Sequence, residues 1–549
     1  MSPPQTLPLP APAHAPAPAH ARYERFAVPA FFGLLLLLGC WVFRDYGISV
    51  DEAQSNMNGM VSLKYVAERF FPAFVQARPA AFGPYAQWPL ATYYDRDYGV
   101  AFELPVAWLA QALGLTAWRS VFFLRHFCTF LVCLGGVGAV YALARRRFAD
   151  WRVALLGALL LVLSPRLFAE FFYNDKDAVF MALFAIATHT AVGLVARPTW
   201  GRAGWHALAC ALTIDVRIMG VLVPLATLAL LALEAGRGAY TGQRVAAKTA
   251  VYLALLAALV VALWPFLWAD PLGHFAEAFA NMAKFRWNNL VLYRGAQVPA
   301  TELPWHYAPV WIAITTPLLH LAGFAVGAAL ILRRLGQRRW RLYATAAEWQ
   351  DLLFLGLTLA PLLSVVALHS VLYDGWRQVY FVYPSLLLVA LRGLVALGAW
   401  RPAPGRARAG AVLRWAAPVG ALLAVAGQMA ALHPLQNVYF NALAGRHLEE
   451  RYELDYWVLS YRQGLEWIVA HDDRMHIRVC GQMRNPLESN RLILPEFAGA
   501  RLEIVENIAD ADYFVTTYRF HPKPYPEYPD EALTLRAGGN RVLSVFKLR

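Results

Sequence analysis

Long apolar runs recur between residue 26 and residue 432, and short arginine-rich connections separate many of them. A bilayer offers no water to unpaired backbone groups, so runs of roughly 20 apolar residues are read as helices that cross it. Only 15% of the 549 residues are charged and 59% are hydrophobic, whereas soluble domains carry about 25% charge. That balance excludes a wholly soluble enzyme, a disordered protein and a disulfide scaffold. The formal net charge of +13 does not mark a nucleic-acid partner, because the cationic excess sits in Ala144–Arg147, Arg333–Arg341 and Arg401–Arg414. Short loops of this kind are the cytoplasmic ones by the positive-inside rule. Four of the five cysteines fall inside apolar runs and Cys480 stands alone, so neither a disulfide framework nor a CxxC metal site is expected.

The runs predict an all-α polytopic membrane domain over residues 22–432. Its first helix covers Phe26–Phe43, with Arg22 and Arg25 on the cytoplasmic side and no cleavage site that would make it a signal peptide. Further spans are expected near 121–144, 152–168, 177–196, 204–214, 217–235, 250–268, 306–332, 350–370, 379–400 and 412–432. Together they make about eleven, with the N-terminus cytoplasmic and the C-terminus outside. Asp215 and Arg217 interrupt the run 204–235. Residues 1–21 are a Pro/Ala/His tract that predicts a disordered tail. Residues 44–120 form a long external loop in which Ala101–Leu115, short for a span, predicts an interfacial helix. From His433 to Arg549 the composition is that of a soluble domain. A helix at Leu459–Val469 and strands at Ile477–Cys480, Tyr513–Thr517 and Val542–Phe546 predict a small external α/β unit.

Charged residues at the span ends carry the functional expectation. Asp51 and Glu52 follow the first helix; Asp175, Lys176 and Asp177 separate two spans; Arg217, His369 and Arg377 lie at the ends of others. The topology puts these groups on one face. Ionisable groups at membrane depth are expensive to bury, which favours function. Two acidic clusters with cations beside them suit glycosyl transfer from a lipid phosphate, which needs a base for the acceptor and cations for the leaving phosphate. Plainer roles compete with this: Ser49 or Asp51 as a helix N-cap, Asp215 paired structurally with Arg217, and Glu103 as a solvated helix-end charge. Trp264, Trp268, Trp305 and Tyr307 are expected in an aromatic belt. There is no Walker A loop, no GxGxxG motif after a strand and no HExxH motif.

In order and topology, Asp51-Glu52, Tyr98–Pro105, Ser164-Pro-Arg with Asn174–Asp177, Pro304–Tyr307, and Arg377 with Tyr383-Pro384 resemble the GT-C superfamily of membrane glycosyltransferases. The likeness is to glycosyltransferase family 39, the protein O-mannosyltransferases and the aminoarabinose lipid A transferase. It implies an inverting enzyme of the bacterial inner membrane that moves a sugar from a polyprenyl-phosphate donor to a periplasmic acceptor, whether lipid, glycan or protein. Asp51 would be the general base and Glu52 its neighbour, with Asp175 or Asp177 as the second acid. Arg217 and Arg377, with Lys176 and His369, would hold the donor phosphate, and Tyr98, Glu103 and Tyr373 would contact substrate. The resemblance demands no cofactor. Some members of the superfamily use a divalent cation, for which Asp51 and Asp177 offer oxygen ligands. The competing expectation is a transporter or lipid flippase, against which stands the absence of an internal repeat.

Overall fold

A computed structural model of the chain describes residues 21–77, 82–83, 85, 87–240, 242–283, 287–338, 342–399 and 416–549. The expected tail 1–21 lies outside the described residues as far as residue 20, Ala21 already beginning a helix, and the basic segment Arg401–Arg414 also lies outside them. Most of each apolar run predicted above is helical over its described part. After α1 (Ala21–Val42), the polar stretch folds into α2 (Glu52–Phe70), α3 (Pro72–Ala77) and α4 (Glu103–Ala112). The bundle continues with α5 (Trp118–Phe148), α6 (Trp151–Val162), α7 (Pro165–Tyr173), α8 (Asp177–Ala196), α9 (Trp200–Val216), α10 (Leu222–Gly236) and α11 (Gly242–Leu263). A short helix, α12 (Pro271–Ala283), and a hairpin of β1 (Leu290–Tyr293) and β2 (Ala296–Pro299) precede the remaining helices. These are α13 (Tyr307–Thr315), α14 (Leu318–Gln337), α15 (Ala346–Ala367), α16 (Tyr383–Ala399) and α17 (Ala417–Leu432).

Among the described residues, eight helices are long and apolar enough to cross a membrane, and nine if the bent pair α6–α7 is one span. This makes the chain a multi-pass membrane protein. The expected run 152–168 breaks where Ser164-Pro165 turns the axis by 71°. Pro165 has no amide hydrogen to continue α6 but suits the first position of α7. The expected run 306–332 likewise divides at Thr316-Pro317. Helices α14 and α16 meet backbone to backbone through Gly323 and Gly327, spaced as in GxxxG, against Gly393. A Cβ on Gly327 would lie 2.0 Å from the Val389 carbonyl oxygen. Close backbone approach of this kind replaces the hydrophobic drive that helices lack in lipid.

Ion pairs sort the helix ends. At one end Arg147 clamps Asp351 at 2.5 and 2.6 Å, and Arg145 holds Glu24 at 2.9 Å. The other end collects the C-termini of α1, α9 and α15 and the N-termini of α5 and α8. The C-terminal unit sits there. Its sheet runs β4 (Leu502–Ile504), β3 (Ile477–Gly481), β5 (Tyr513–Thr516), β7 (Asn540–Lys547), β6 (Glu531–Ala537). Strand β3 is parallel to β4 and β5, while β7 is antiparallel to β5 and β6. Helices α18 (Tyr461–His471), α19 (Arg484–Leu492) and α20 (Glu496–Ala500) complete the unit. Leu465, Ile468, Val479, Leu487, Val515 and Val545 form the heart of its own core. Asn490 fastens the unit to the chain just after α1: its side chain accepts from the Ile48 amide at 3.0 Å and donates to the Ile48 carbonyl at 2.9 Å.

Candidate functional site

A cavity of about 310 Å³ opens at this end of the bundle, lined on its polar side by Asp51, Gln54, Asp95, Asp97, Tyr98, Lys176, Asp215, Arg217, Tyr373 and Arg377. Its apolar side is formed by Met219, Trp264, Met282, Pro361, Val365, Leu372 and Phe381. Trp264 and Tyr307, expected in an aromatic belt, are buried, whereas Trp305 is 70% exposed.

Arg377, just before α16, is the hub. Its Nη1 donates to Asp51 Oδ2 at 2.8 Å and to Asp177 Oδ2 at 3.1 Å, and its Nη2 lies 3.3 Å from Asp374 Oδ2. The guanidinium also rests on two rings, 4.7 Å from the centre of Tyr373 and 4.6 Å from that of Trp457. Arg217 pairs with the other oxygen of Asp177. Lys176 Nζ sits 4.6 Å above the Tyr98 ring. Asp51 occupies the N-cap position of α2, yet its side chain caps no amide and turns to Arg377. Burial alone would raise its pKa, but the charges of Arg377, Lys176 and Arg519 and the hydrogen bond from Arg377 outweigh that and hold it below the usual carboxylate range. Asp51 is therefore ionised at neutral pH, and its side chain keeps 31% exposure toward the cavity.

Local sequence explains these placements. Asn174 ends α7 and its side-chain oxygen accepts the Asp177 amide at 2.7 Å, which starts α8 and fixes the Asp177 carboxylate at the positive helix end. Arg217 is extended between α9 and the next helical turn, so its side chain leaves the bundle axis at the break. Asp215 does not pair with Arg217. Its carboxylate accepts the Ala101 amide at 2.6 Å and pins the Tyr98–Ala101 segment to the end of α9. Gly99 permits this approach, since a Cβ there would stand 1.8 Å from the Asp215 carbonyl oxygen.

The remaining acids go elsewhere. Glu52 is 1% exposed and does not line the cavity. Its carboxylate lies 2.9 Å from His126 Nε2 and accepts the Ser49 amide at 2.7 Å. Asp175 and Glu103 share Arg125, which stands 2.5 Å from Asp175, and Ser55 donates to Asp175 at 2.9 Å. Burial, reinforced by the charge of Asp175, pushes the Glu103 carboxyl up to about 8 against the pull of Arg125. Glu103 is thus a buried network member, not a solvated helix-end charge. Of the expected phosphate ligands, His369 is the one outside: it is exposed and lines a neighbouring cavity with Trp305 and Tyr307. Positions absent from the sequence expectation are Arg125, His126, Asp374 and Arg519. Arg125-His126 could have been found as a polar pair ahead of the apolar middle of α5.

A divalent cation does not fit the pair offered for it. Asp51 and Asp177 are already bridged by Arg377, and among the described residues no group of three or more His, Cys, Asp or Glu side chains could hold a metal ion. What the arrangement can do is accept a proton at Asp51 and hold a multiply charged anion against Arg217, Arg377 and Lys176, beside an apolar wall suited to a lipid chain. No known protein-family model matches this chain, and no curated protein matches it.

Proposed function

We propose that the chain is an inverting glycosyltransferase that moves a sugar from a polyprenyl-phosphate donor to a hydroxyl of a periplasmic acceptor. The observation that carries this reading is the joint lining of one cavity by the ionised Asp51, three further carboxyl groups (Asp95, Asp97 and Asp215), three cations and an apolar wall. The donor phosphate lies against Arg217 and Arg377 with Lys176 beside it, and its prenyl chain follows the Met219, Val365 and Phe381 side. Asp51 takes the proton of the acceptor hydroxyl. The oxygen attacks the anomeric carbon opposite the phosphate, the new glycosidic bond forms as the carbon–phosphate oxygen bond breaks, and polyprenyl phosphate leaves with the bonding pair. The arginines neutralise the charge that develops on it. Donor binding also sets the base: a phosphate that draws Arg377 away from Asp51 removes the largest of the cationic influences that depress its pKa. In this reading the cavity faces the periplasm of a bacterial inner membrane, the N-terminus is cytoplasmic, α4 lies at the interface, and the apolar helices include about eleven passes.

The test is incubation of the purified protein in lipid nanodiscs with a panel of polyprenyl-phosphate sugars and candidate acceptors, following free polyprenyl phosphate by mass spectrometry. Release is expected with wild type and not with Asp51→Asn. Absence of release across the panel from folded protein, with lipid flux across a vesicle membrane instead, would assign a transporter.

A further inference from the structure

The C-terminal unit reaches into the cavity wall. On the turn after β5, Arg519 extends from the sheet and its Nη2 meets Asp374 Oδ1 at 2.7 Å, both side chains being 5% exposed or less. Its Nη1 donates to the Tyr456 carbonyl at 2.6 Å. Asp374 in turn faces Arg377 Nη2 at 3.3 Å, and Trp457 of the same C-terminal unit covers the Arg377 guanidinium at 4.6 Å. A chain of buried contacts therefore runs from the sheet through Arg519 and Asp374 to the hub of the site.

The backbone at both ends of this chain is strained. Asp374 has φ 55°, Tyr518 φ 60° and Phe520 φ 72°, and Val458, next to Trp457, has φ 56°. None is glycine, and a β-branched valine there is unfavourable. Such residues persist only where the surroundings over-determine them. Here four of them flank one charge relay. A unit joined merely for solubility has no need to place a buried arginine, a buried aromatic and three left-handed residues against a cation of the membrane domain.

We propose that the C-terminal unit completes the site, with Arg519 as a positioning residue that holds Asp374 and thereby fixes the plane of the Arg377 guanidinium toward the lipid phosphate. This rests on the reading of the cavity as a donor-phosphate site. Without Arg519, Asp374 is no longer held against Arg377, and the guanidinium loses the contact that fixes its plane toward the cavity.

The experiment is a double-mutant cycle on the full-length protein in nanodiscs, with undecaprenyl phosphate as the probe and binding read by native mass spectrometry, so that no acceptor or turnover is needed. Arg519→Gln should weaken binding roughly tenfold, and this loss should vanish in an Arg377→Gln background. Arg519→Lys, which keeps a cation beside Asp374, should restore binding to within about threefold of wild type. In turnover the loss should fall on the donor KM and spare kcat. If Arg519→Gln does not fold, the pair Asp374→Asn, Arg519→Gln, which removes both buried charges together, replaces it with the same expected loss. Unchanged binding in a folded variant, or losses that add in the cycle, would overturn the positioning role while leaving the donor site standing. Wild type that binds no lipid phosphate would overturn both, and is told apart because it fails before any variant is compared.

Discussion

Two charge clusters lie side by side in this protein and are built from neighbours in sequence. Asp51 and Asp177 face the open cavity through Arg377 and Arg217. Glu52 and Asp175, one and two residues away, face the closed interior with His126, Arg125, Glu103 and Ser55. The first cluster has an excess of donors beside a void; in the second, acids from α2, α4 and the α7–α8 connection converge on α5. Helix geometry makes the division at the start of α2: Asp51, its N-cap with helical φ and ψ, and Glu52, its first residue, point about 100° apart, so one carboxylate faces the cavity and the next is driven into the packing. Adjacent carboxylates of equal chemistry are thereby given different tasks. On the proposed reading, one cluster meets the donor phosphate and the other holds together the elements that frame it.

Substitutions that treat the two clusters alike can break this comparison. The largest effect is expected from Asp51→Asn, which should lower turnover by about 10² to 10⁴ while moving the unfolding midpoint little, since Arg377 retains Asp177 and Asp374. Equal rates for Asn and Asp at position 51 would end the base assignment. Next comes Arg125→Met, which strands Glu103 and Asp175 together and should destabilise by about 3–5 kcal/mol, read as a loss of folded protein in thermal unfolding. Glu52→Ala is expected to be milder, about 1–3 kcal/mol, because it orphans the Ser49 amide and His126. Its rate per folded molecule should stay within roughly threefold of wild type. A collapse in rate with unchanged stability would move Glu52 into the open cluster.

Much of the fold was legible because hydrophobic periodicity dominates it. The tail helix at Tyr461–His471 and strands β3, β5 and β7 follow from apolar alternation, whereas the three-residue β4 and the half-exposed β6 carry little of that signal. Span ends were less legible: Pro165 and Pro317 break runs that composition alone joins. In the site, Asp51, Asp177, Arg217, Lys176 and Arg377 stood out as charges at apolar boundaries. The partition of Asp51 from Glu52 and of Asp177 from Asp175 did not, because it depends on which way each helix is turned. Arg519 was the least legible, being one of many arginines in a soluble-like tail, and its partner Asp374 is 145 residues away.

The smallest expected effect is also the one that separates the clusters without mutation of the cavity. Glu103 has its carboxyl raised from 4.5 to about 8, first by burial and then by Asp175, with Arg125 opposing. A raised folded pKa means that the native state binds more protons than the unfolded chain between those two values. Stability from this group is therefore fully present below about pH 4.5 and is lost as pH rises through about 8. Asp51 works the other way, since its carboxyl is depressed: its contribution is present at neutral pH and lost only on acidification below the ordinary carboxylate range. From pH 6 to pH 9 the closed cluster should weaken while the open one is unchanged. Thermal unfolding of wild type should fall by about a few degrees at most across that range, and Glu103→Gln, which cannot ionise, should reduce the slope, the remainder coming from Asp215 and Glu453, whose carboxyls burial also raises to about 8. A slope undiminished in Glu103→Gln but absent in Asp51→Asn would reverse the assignment of the two clusters.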